Sequence, residues 1–503
     1  MNHCSNLLLL PYVPGLDGSY AFSTNDVMDS RPEDARSHLL TRNLEFAQNQ
    51  VGLQVHNGRG QGHFDGVTHP RERPKLASPC HRGTHADIKR ASERGHMGDG
   101  SAPPPRLLVV KGTFEQFGGA ERDLLNNLPA WTERFDVTLA TLNLPTDARN
   151  MLDDANIPYL TPVIEWNSPT GTWAELRALA SRQSSNRWIS MLDLTEQITG
   201  LREIIANIDA VHITSGIGSL EMSGLIPNHI PIHYHCLEPH RGLYEDVLHR
   251  SVDGKPKQNL TLTKLLLGKQ RNRDQKFVSR LIKRKKTRMS GNSPWIKKRI
   301  SEVYGLDSGL LLPTVDLSTW SKGENKCGNY VVTIGRASHV KGTWETIEML
   351  SGTGLSLSLV GGGNKEDLAL LQSHAKKLDV KLTIMPRLTQ DDLVSLVKGA
   401  RAVVSLAYGE PFGLTPIESQ AAGTPALMVD EGGFRYTVED SVSGRLLPRG
   451  DWNKWHQALE QAKDLQIREK WSEAGRKNIT NMGLTPNNQA NMLSKIFDFS
   501  EEE

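Results

Sequence analysis

Short apolar runs alternate with helix-forming windows along residues 330–429, and this alternation constrains the fold more than any other feature of the chain. The runs are apolar at successive positions, as in strands that are buried on both faces of a parallel sheet. Turn residues separate them from the helical windows. We predict strands at residues 330–335, 355–360, 381–385, 402–407 and 425–429, and helices at residues 343–350, 366–378, 391–398 and 414–422.

The same alternation occurs in the first half of the chain. Residues 107–110 form an apolar run, residues 111–119 a glycine-containing loop, and residues 120–128 a helical window. A strand, a loop and a helix in this order form the first unit of a doubly wound sheet. The loop lacks the spacing of a dinucleotide-binding fingerprint, so we do not predict a dinucleotide there. Further strands are expected at residues 136–140 and 210–214.

These two series predict an α/β protein with two Rossmann-like, doubly wound domains. We place the domains at residues 105–310 and 311–485, followed by a C-terminal helix or tail at residues 486–503. Ligands of such sheets bind beside the carboxyl ends of the strands. Two domains joined in this way face each other across a cleft, and we expect the ligand to bind in that cleft.

Residues 1–104 differ in composition from the rest of the chain. They contain eight of the 17 histidines and show little sustained apolar periodicity. Such a segment cannot bury enough apolar surface to offset the entropy of ordering, so we predict a disordered extension. A second hypothesis is that the natural product starts at Met97. The histidines have no fixed ligand spacing, and we predict no metal site there.

Overall composition excludes several classes of protein. The formal net charge is +2 over 503 residues, which gives no overall reason to expect nucleic-acid binding. The four cysteines, Cys4, Cys80, Cys236 and Cys327, are far apart, as is typical of reduced thiols in a cytoplasmic protein. No apolar run is long enough to span a membrane.

Residues 264–288 are strongly basic. They contain eleven lysines and arginines and one acid, Asp274. Two interpretations remain open: a solvated helix surface, or contact with an anionic surface such as lipid headgroups or a phosphate-bearing acceptor. Phe277 is the only aromatic residue in this stretch, which argues against single-stranded nucleic acid.

Glu410 and Glu418 lie eight positions apart around a glycine-containing bend. We expect Glu410 beyond the carboxyl end of the strand at residues 402–407, and Glu418 about one turn into the following helix. Carboxylates accept hydrogen bonds from sugar hydroxyls, and free amides at a helix start bind phosphate. The spacing therefore indicates a nucleotide-sugar site, although acids near a helix start are also common as caps or dipole partners.

With these segments in place, the chain resembles the GT-B glycosyltransferases of the retaining, family-4 type (glycosyl transferases group 1). The resemblance covers about residues 106–490 and is most specific in the second half. It rests on a loop with an arginine and a lysine at residues 335–342, a glycine turn at 361–363, the connections at 292–305 and 311–316, the two-glutamate segment at 410–418, and a glycine loop at 118–121.

The resemblance implies a role for each matched residue on the donor side. Arg336 and Lys341 would neutralise the donor diphosphate as its charge grows, Glu418 would hold the nucleotide ribose, and Glu410 would hold hydroxyls of the donor sugar. Backbone amides of Phe412, Gly413 and Leu414 would contact the donor, with Gly118 and Gly119 beneath its phosphates. The family is usually explained by front-face attack, in which Glu410 orients the sugar. No metal and no cofactor besides the nucleotide sugar are expected.

A histidine-rich segment at residues 233–241 follows an expected strand at residues 230–232. It resembles a family segment whose histidine approaches the donor sugar, so we assign that role to His235, with His233 as the second choice. Glu238 and Arg241 would face the acceptor. Tyr436 stands where family members often have an acid, so the donor-sugar contacts are expected to differ.

The resemblance implies a retaining glycosyltransferase that moves a sugar from a UDP- or GDP-sugar to a hydroxyl of a glycan or a lipid-linked acceptor. We expect it in the cytoplasm, peripheral to the inner face of a membrane, with a role in cell-envelope polysaccharide or glycan synthesis and without nucleic acid as a partner. Two alternatives remain: a GT-B nucleotide-sugar epimerase or hydrolase, and a catalytically silent sugar-binding scaffold.

Overall fold

The computed structural model describes residues 103–115, 118–169, 174, 177–178, 181–192 and 200–499. The extension predicted at residues 1–104 lies outside this part of the chain except for its last two residues, and so does the proposed start at Met97. Two of the four cysteines, Cys236 and Cys327, are described, and both are free thiols as predicted.

The N-terminal sheet has seven strands in the order β3-β2-β1-β4-β5-β6-β7, and every neighbouring pair is parallel. Its strands are β1 (Arg106–Lys111), β2 (Asp136–Thr141), β3 (Tyr159–Leu160), β4 (Ala210–Thr214), β5 (Ile232–Cys236), β6 (Thr287–Gly291) and β7 (Gly309–Leu310). Its helices are α1 (Gly119–Trp131), α2 (Thr146–Asp154), α3 (Gln183–Ser190), α4 (Leu201–Asn207), α5 (Arg241–Tyr244), α6 (Leu260–Leu266), α7 (Gly268–Ile282) and α8 (Pro294–Tyr304).

The C-terminal sheet has six strands in the order β10-β9-β8-β11-β12-β13, again with parallel neighbours. Its strands are β8 (Tyr330–Ile334), β9 (Ser356–Val360), β10 (Leu382–Met385), β11 (Ala402–Ser405), β12 (Ala426–Val429) and β13 (Arg445–Leu447). The helices here are α9 (Leu317–Ser321), α10 (Thr343–Leu350), α11 (Lys365–Lys377), α12 (Gln390–Gly399), α13 (Leu414–Ala422), α14 (Phe434–Thr437), α15 (Trp452–Gln461), α16 (Leu465–Asn481) and α17 (Pro486–Ile496).

Eight of the nine strands predicted from apolar runs are confirmed, with ends that differ by at most two residues. The four helices predicted in the second half are also confirmed, and α13 has the predicted bounds. Gly423 ends α13 in the left-handed conformation, with φ +80°, which a glycine adopts without strain. The predicted α/β fold with two doubly wound sheets is therefore correct.

One predicted strand was placed wrongly. The apolar run at residues 230–232 was expected to be a strand that ends before the histidines, but β5 runs from Ile232 to Cys236 and contains His233 and His235. Both histidines are buried. A central strand of a parallel sheet is covered on both faces, and a neutral histidine with a hydrogen-bond partner is tolerated there. The polar histidines therefore did not mark the end of the strand.

Two segments cross between the domains, which lie in one compact unit. Ala490 and Leu493 of α17 pack in the core of the N-terminal domain beside α1, so the last helix returns to the first domain. In the other direction, Val252 reaches the core of the C-terminal domain and is fully buried there. Its backbone N–H donates to Asp367 Oδ1 at 3.4 Å. We call residues 246–257 the crossing loop.

Candidate functional site

A lysine and a glutamate meet where β8 and β11 end. Lys341 Nζ lies 2.8 Å from Glu410 Oε2. Lys341 ends a 3-10 turn in the loop after β8, and Gly335 leaves room for its side chain, since a Cβ at Gly335 would lie 3.3 Å from Lys341 Cδ. Adjacent parallel strands end at the same edge of the sheet, which brings these two loops together.

A pair of glycines supports the backbone of Glu410. Gly432 has φ +58°, and a Cβ there would lie 2.7 Å from Glu410 N. A Cβ on Gly433 would lie 2.5 Å from Pro411 O, and the Gly433 N–H donates to Glu410 O at 2.7 Å. Only glycine permits this approach, so the loop after β12 fixes the position of Glu410. Tyr436, the departure from the family pattern, lies just beyond and is exposed.

An arginine and a tyrosine brace the same loop. The Arg449 guanidinium lies 3.7 Å from the centre of the Tyr408 ring, and its nitrogens contact both carboxylate oxygens of Glu431 at 2.9 and 3.0 Å. The Tyr408 hydroxyl donates to Glu345. This arrangement is a stacked cation with a bidentate ion pair, and it holds the residue two positions before Glu410.

Helix α13 begins at Leu414, four positions after Glu410. Gly413 caps it with φ +96°, and a Cβ at this position would lie 2.8 Å from the Phe434 ring. Phe412 is buried, so it contributes backbone and not side chain to the site. Across the cleft, a Cβ on Gly119 would lie 3.4 Å from a methyl group of Leu414. The predicted glycine loop and the predicted helix start therefore face each other.

Glu418 lies on α13 and faces helix α1 of the other domain. Burial raises the pKa of the Glu418 carboxyl, and the nearby Arg122 guanidinium opposes that rise. Burial also raises the pKa of Asp123 to about 6, with Glu418 adding to the rise. Asp123 Oδ1 accepts a hydrogen bond from the backbone N–H of Thr314 at 2.8 Å, in the connection between the domains. Two carboxyl groups that are costly to ionise thus lie where the domains meet.

Arg336 is the exposed cation of the site. Its loop rests on the turn after β9, where the Ala337 N–H donates to Gly362 O at 2.8 Å. Gly361 has φ +124°, and a Cβ there would lie 2.8 Å from Gly335 C. The predicted arginine, lysine and glycine turn therefore form one packed unit at the edge of the cleft.

The loop after β5 brings two residues of the N-terminal domain to the lysine–glutamate pair. Arg241 donates to the backbone carbonyl of Tyr408 at 2.7 Å and lies 3.8 Å from Glu238 Oε2. Burial raises the pKa of Glu238 to about 7, with Arg241 lowering it and the Glu410 carboxylate raising it further. At neutral pH this carboxyl group is therefore poised between its two protonation states.

The structure does not bring His235 to the lysine–glutamate pair. Its Nε2 lies 3.0 Å from the Leu311 carbonyl, and the residue is 5% exposed. Burial, with a smaller contribution from the Lys111 cation, lowers the pKa of His235 to about 4. His233 is buried further in, with its Nδ1 3.0 Å from His212 Nδ1, and burial lowers the pKa of His233 as well. Both rings are neutral at pH 7.

Sequence reasoning missed a buried ion pair beneath the glycine loop. Lys111 Nζ lies 3.1 Å from Glu121 Oε1, and Glu121 Oε2 accepts the N–H of Gly118 at 2.9 Å. Burial raises the pKa of the Glu121 carboxyl, but the Lys111 cation and backbone hydrogen bonds outweigh this effect, so the pKa is lowered. A lysine that ends an apolar strand run, followed by an acid in the first turn of the next helix, was the available signal.

Arg122 and Asp123 were also missed, because nothing in the sequence shows which residue of the other domain faces them.

The described residues offer neither a metal-binding cluster nor a membrane-spanning helix. Among the described residues, no group of three His, Cys, Asp or Glu side chains is arranged to hold a metal ion. None of the helices in that part of the chain is long and apolar enough to cross a membrane.

Comparison with known proteins relates this site to one family. The family described as glycosyl transferases group 1 matches residues 316–478, which include Arg336, Lys341, Glu410 and Glu418. A D-inositol 3-phosphate glycosyltransferase of Nocardia farcinica is 28% identical over 197 residues, which cover 34% of this chain and 44% of the relative. The corresponding protein of Rhodococcus erythropolis is 28% identical over 198 residues, covering 34% and 45%. The chain thus spans less than half the length of these curated relatives.

Solved structures show the same fold over both domains. Sucrose-phosphate synthase of Thermosynechococcus elongatus superposes with a TM-score of 0.59 at 14% identity, over 78% of this chain and 98% of the other. HepE of Anabaena, solved with UDP and glucose, gives a TM-score of 0.54 at 15% identity, over 79% and 100%. The chain therefore has the two-domain GT-B fold, and its residues 316–478 match the family described as glycosyl transferases group 1.

Proposed function

We propose that this protein is a metal-independent, retaining glycosyltransferase that moves a sugar from a nucleoside-diphosphate sugar to an acceptor hydroxyl. The observation that carries the proposal is the 2.8 Å contact between Lys341 and Glu410, which lies across the cleft from the glycine loop at Gly118 and Gly119. A cation for phosphate and a carboxylate for sugar hydroxyls stand side by side there, as transfer from such a donor requires.

The donor nucleotide lies along the start of α13. Glu418 holds the ribose hydroxyls, and the first amides of α13 contact the diphosphate, since they lack partners within the helix. Arg336 and Lys341 stabilise the negative charge that develops on the leaving phosphate. HepE of Anabaena has been solved with UDP and with UDP-glucose, which supports a uridine nucleotide as the first donor to test.

The acceptor enters from the N-terminal domain beside Glu238 and Arg241. In front-face displacement the acceptor oxygen bonds to the anomeric carbon on the face that the phosphate leaves. The bond from that carbon to the phosphate oxygen breaks, and the leaving phosphate takes the proton of the acceptor hydroxyl. Glu410 orients the sugar in this scheme, and it is already paired with Lys341, which makes it a poor nucleophile. A glycan or a lipid-linked hydroxyl is the expected acceptor class.

The test is an assay of sugar transfer from a panel of UDP- and GDP-sugars in the presence of a chelator. We expect one donor to transfer its sugar with the anomeric configuration retained, as read by proton NMR of the product, and with full activity without divalent metal. Inversion of configuration would overturn the retaining mechanism. Complete dependence on added metal would overturn the role given to Arg336 and Lys341.

The two alternatives give different products. An epimerase or hydrolase would release the nucleoside diphosphate and form an isomer or free sugar without any acceptor. A silent scaffold would bind a nucleotide sugar without turning it over, or would fail to bind one. The contact between Lys341 and Glu410 favours the transferase over a decayed site, because a silent protein has no need to keep this pair.

A further inference from the structure

Helices α6 and α7 form a nearly continuous rod on the surface of the N-terminal domain. Leu267 joins them in a helical conformation, its N–H donates to Thr263 O at 3.0 Å, and its carbonyl accepts from Arg271 N at 2.9 Å. The hydrogen bonds therefore continue across the junction. Residues at helical spacing in both helices thus lie on common faces of one rod.

One face of the rod packs against the domain. Leu267, Val278 and Leu281 are buried. Asp274, the only acid of the basic stretch, also points inward, where its Oδ2 accepts hydrogen bonds from the hydroxyls of Tyr244 at 2.7 Å and Tyr304 at 3.0 Å. The inward turn of Asp274 removes the one negative charge of the stretch from the outer surface.

The opposite face carries an exposed stripe of leucines followed by cations. Four of its five cations stand two positions after an inward residue, or about 200° around the rod, and successive residues of the stripe are three or four positions apart. The residues of this stripe, all exposed, are Leu262, Leu265, Lys269, Arg273, Lys276, Arg280 and Lys283. We call it the leucine–lysine stripe. It extends over roughly 30 Å.

The leucine end is unusual for a surface helix. Leu265 is 76% exposed, Leu262 54% and the neighbouring Leu266 43%. Single exposed leucines are ordinary on soluble proteins. Three within five residues, at the end of a stripe that is otherwise cationic, form a surface suited to a partner that is both apolar and anionic.

Not every basic residue of the stretch belongs to this surface. Arg284 donates to the carbonyls of Ile226 at 2.9 Å and Pro227 at 2.6 Å, so it fastens the end of α7 to the domain. Arg271 donates back to the carbonyl of Lys264. Both arginines have structural roles within the domain, and the cations of the stripe are a different set.

We infer that the leucine–lysine stripe docks the protein on an anionic lipid bilayer, with the leucines at the boundary of the acyl chains and the cations among the headgroup phosphates. A helix with apolar residues and a basic face binds in the plane of the interface in this way. A soluble polyanion would pair with the cations and leave the leucines in water. The inference rests on the proposed function only in that docking would bring the cleft to a lipid-linked acceptor.

The test is flotation of the full chain with vesicles of phosphatidylcholine alone and of phosphatidylcholine mixed equally with phosphatidylglycerol. Two stripe variants are compared with the wild type: Leu262→Ser with Leu265→Ser, and Lys269→Gln with Lys276→Gln and Lys283→Gln. A third set changes Lys376, Lys381 and Lys470 to Gln as the matched control. These three lysines are exposed on the C-terminal domain, so the control has the same change of charge.

Wild type should bind the anionic vesicles and not the neutral ones. The stripe lysine variant should lose about 100-fold in partitioning at low salt, because each cation near the surface contributes a factor of about 5. The leucine variant should lose roughly 10- to 100-fold. The control set should match the wild type. Stabilisation by a nucleotide sugar, measured on the same preparations, should be equal in all four proteins.

Three results would overturn the docking proposal. They are equal binding of wild type to both kinds of vesicle, full anionic binding by the leucine variant, and equal losses in the stripe and control lysine sets. Full anionic binding by the leucine variant would show that the cations alone contact the headgroups, so the surface would be a general polyanion site without apolar insertion. If a nucleotide sugar does not stabilise the wild type, the proposed function is contradicted. The vesicle result would still test the docking proposal on its own.

Discussion

Lys341 and Glu410 form an ion pair, with Nζ 2.8 Å from Oε2, between the loop that follows β8 and the loop that follows β11. The lysine side chain is 35% exposed and the glutamate side chain 19% exposed, so both remain accessible from the cleft. A partly exposed ion pair of this kind contributes modestly to stability, on the order of 1 kcal/mol. The pair is therefore better explained by what it does to a ligand than by what it does for the fold.

Replacing either member of this pair should abolish most of the turnover and leave the fold intact. Lys341→Ala removes a cation from the developing charge on the phosphate, and Glu410→Gln removes the charged acceptor for sugar hydroxyls. We expect a loss of ~10²–10³ in kcat for each, by analogy with the loss of one oxyanion donor. The thermal unfolding temperature should shift little. The control is Lys381→Ala, because Lys381 is exposed and immediately precedes β10. Wild-type turnover in both variants would exclude this site.

Glu418 should act on donor binding more than on turnover. Glu418→Gln retains the size of the side chain and removes the charge that accepts from the ribose hydroxyls. A hydrogen bond to a charged group is worth ~1.5–3 kcal/mol, so the donor Kd should rise about 10- to 100-fold. Calorimetry with a nucleotide sugar and with its 2′-deoxyribose analogue checks this: the variant should discriminate less between the two. Glu366→Gln, an exposed glutamate on α11, should bind as the wild type does.

The crossing loop should be needed for the stability of the whole protein. Val252 is fully buried in the core of the C-terminal domain although it belongs to the N-terminal half of the chain. Val252→Asp places a carboxylate in that core and should cost ~3 kcal/mol or more of unfolding free energy. Val163→Asp is the matched control because Val163 is 86% exposed. Equal unfolding temperatures for the two variants would mean that the crossing loop does not hold the domains together.

His235 should make the protein less stable in acid. Burial lowers the pKa of its ring from 6.5 to about 4, so between these values the unfolded chain binds a proton that the folded chain does not. Stability is therefore lost as the pH falls from 6.5 towards 4, and the loss levels off below the folded pKa. Relative to a His235→Gln variant, the wild type should lose about 3 kcal/mol over this range. Titrating groups that both proteins contain, such as Asp123, change the stability of both equally with pH, so their contributions cancel in the comparison.

The measurement is denaturant unfolding of the two proteins at a series of pH values. A constant difference between them would show that His235 titrates normally. The same variant also tests the donor-side role predicted for His235. A fall in kcat at pH 7, with unchanged unfolding, would support contact with the donor sugar. Unchanged kcat would leave His235 a structural residue bound to the Leu311 carbonyl.

The sequence predicted the sheets well because their strands are buried on both faces and read as apolar runs. The long strand β1 and the series from β8 to β12 were found in this way. The edge strands β3 and β7 have two residues each and carry too little pattern to be seen. Strand β5 was placed too early because His233 and His235 interrupt its apolar run, although buried neutral histidines fit a central strand.

The local part of the site was also predictable. Glu410, Gly413 and Glu418 are fixed by one strand–turn–helix segment, and the bounds of α13 followed from its helix formers and Gly423. What could not be predicted depends on contact between distant segments. The position of Arg122 and Asp123 opposite Glu418 follows from how the domains pack, and no local pattern encodes it. The brace of Arg449 on Tyr408 is of the same kind.

The most direct test of the account is calorimetric titration of the full chain with a panel of UDP- and GDP-sugars, repeated with the Lys341→Ala and Glu418→Gln variants. The account predicts that one donor binds the wild type and that Glu418→Gln binds it at least about 10-fold more weakly, while Lys341→Ala, whose cation acts mainly on the developing charge, loses less affinity. Failure of every nucleotide sugar to bind, or equal binding by the wild type and both variants, would contradict it.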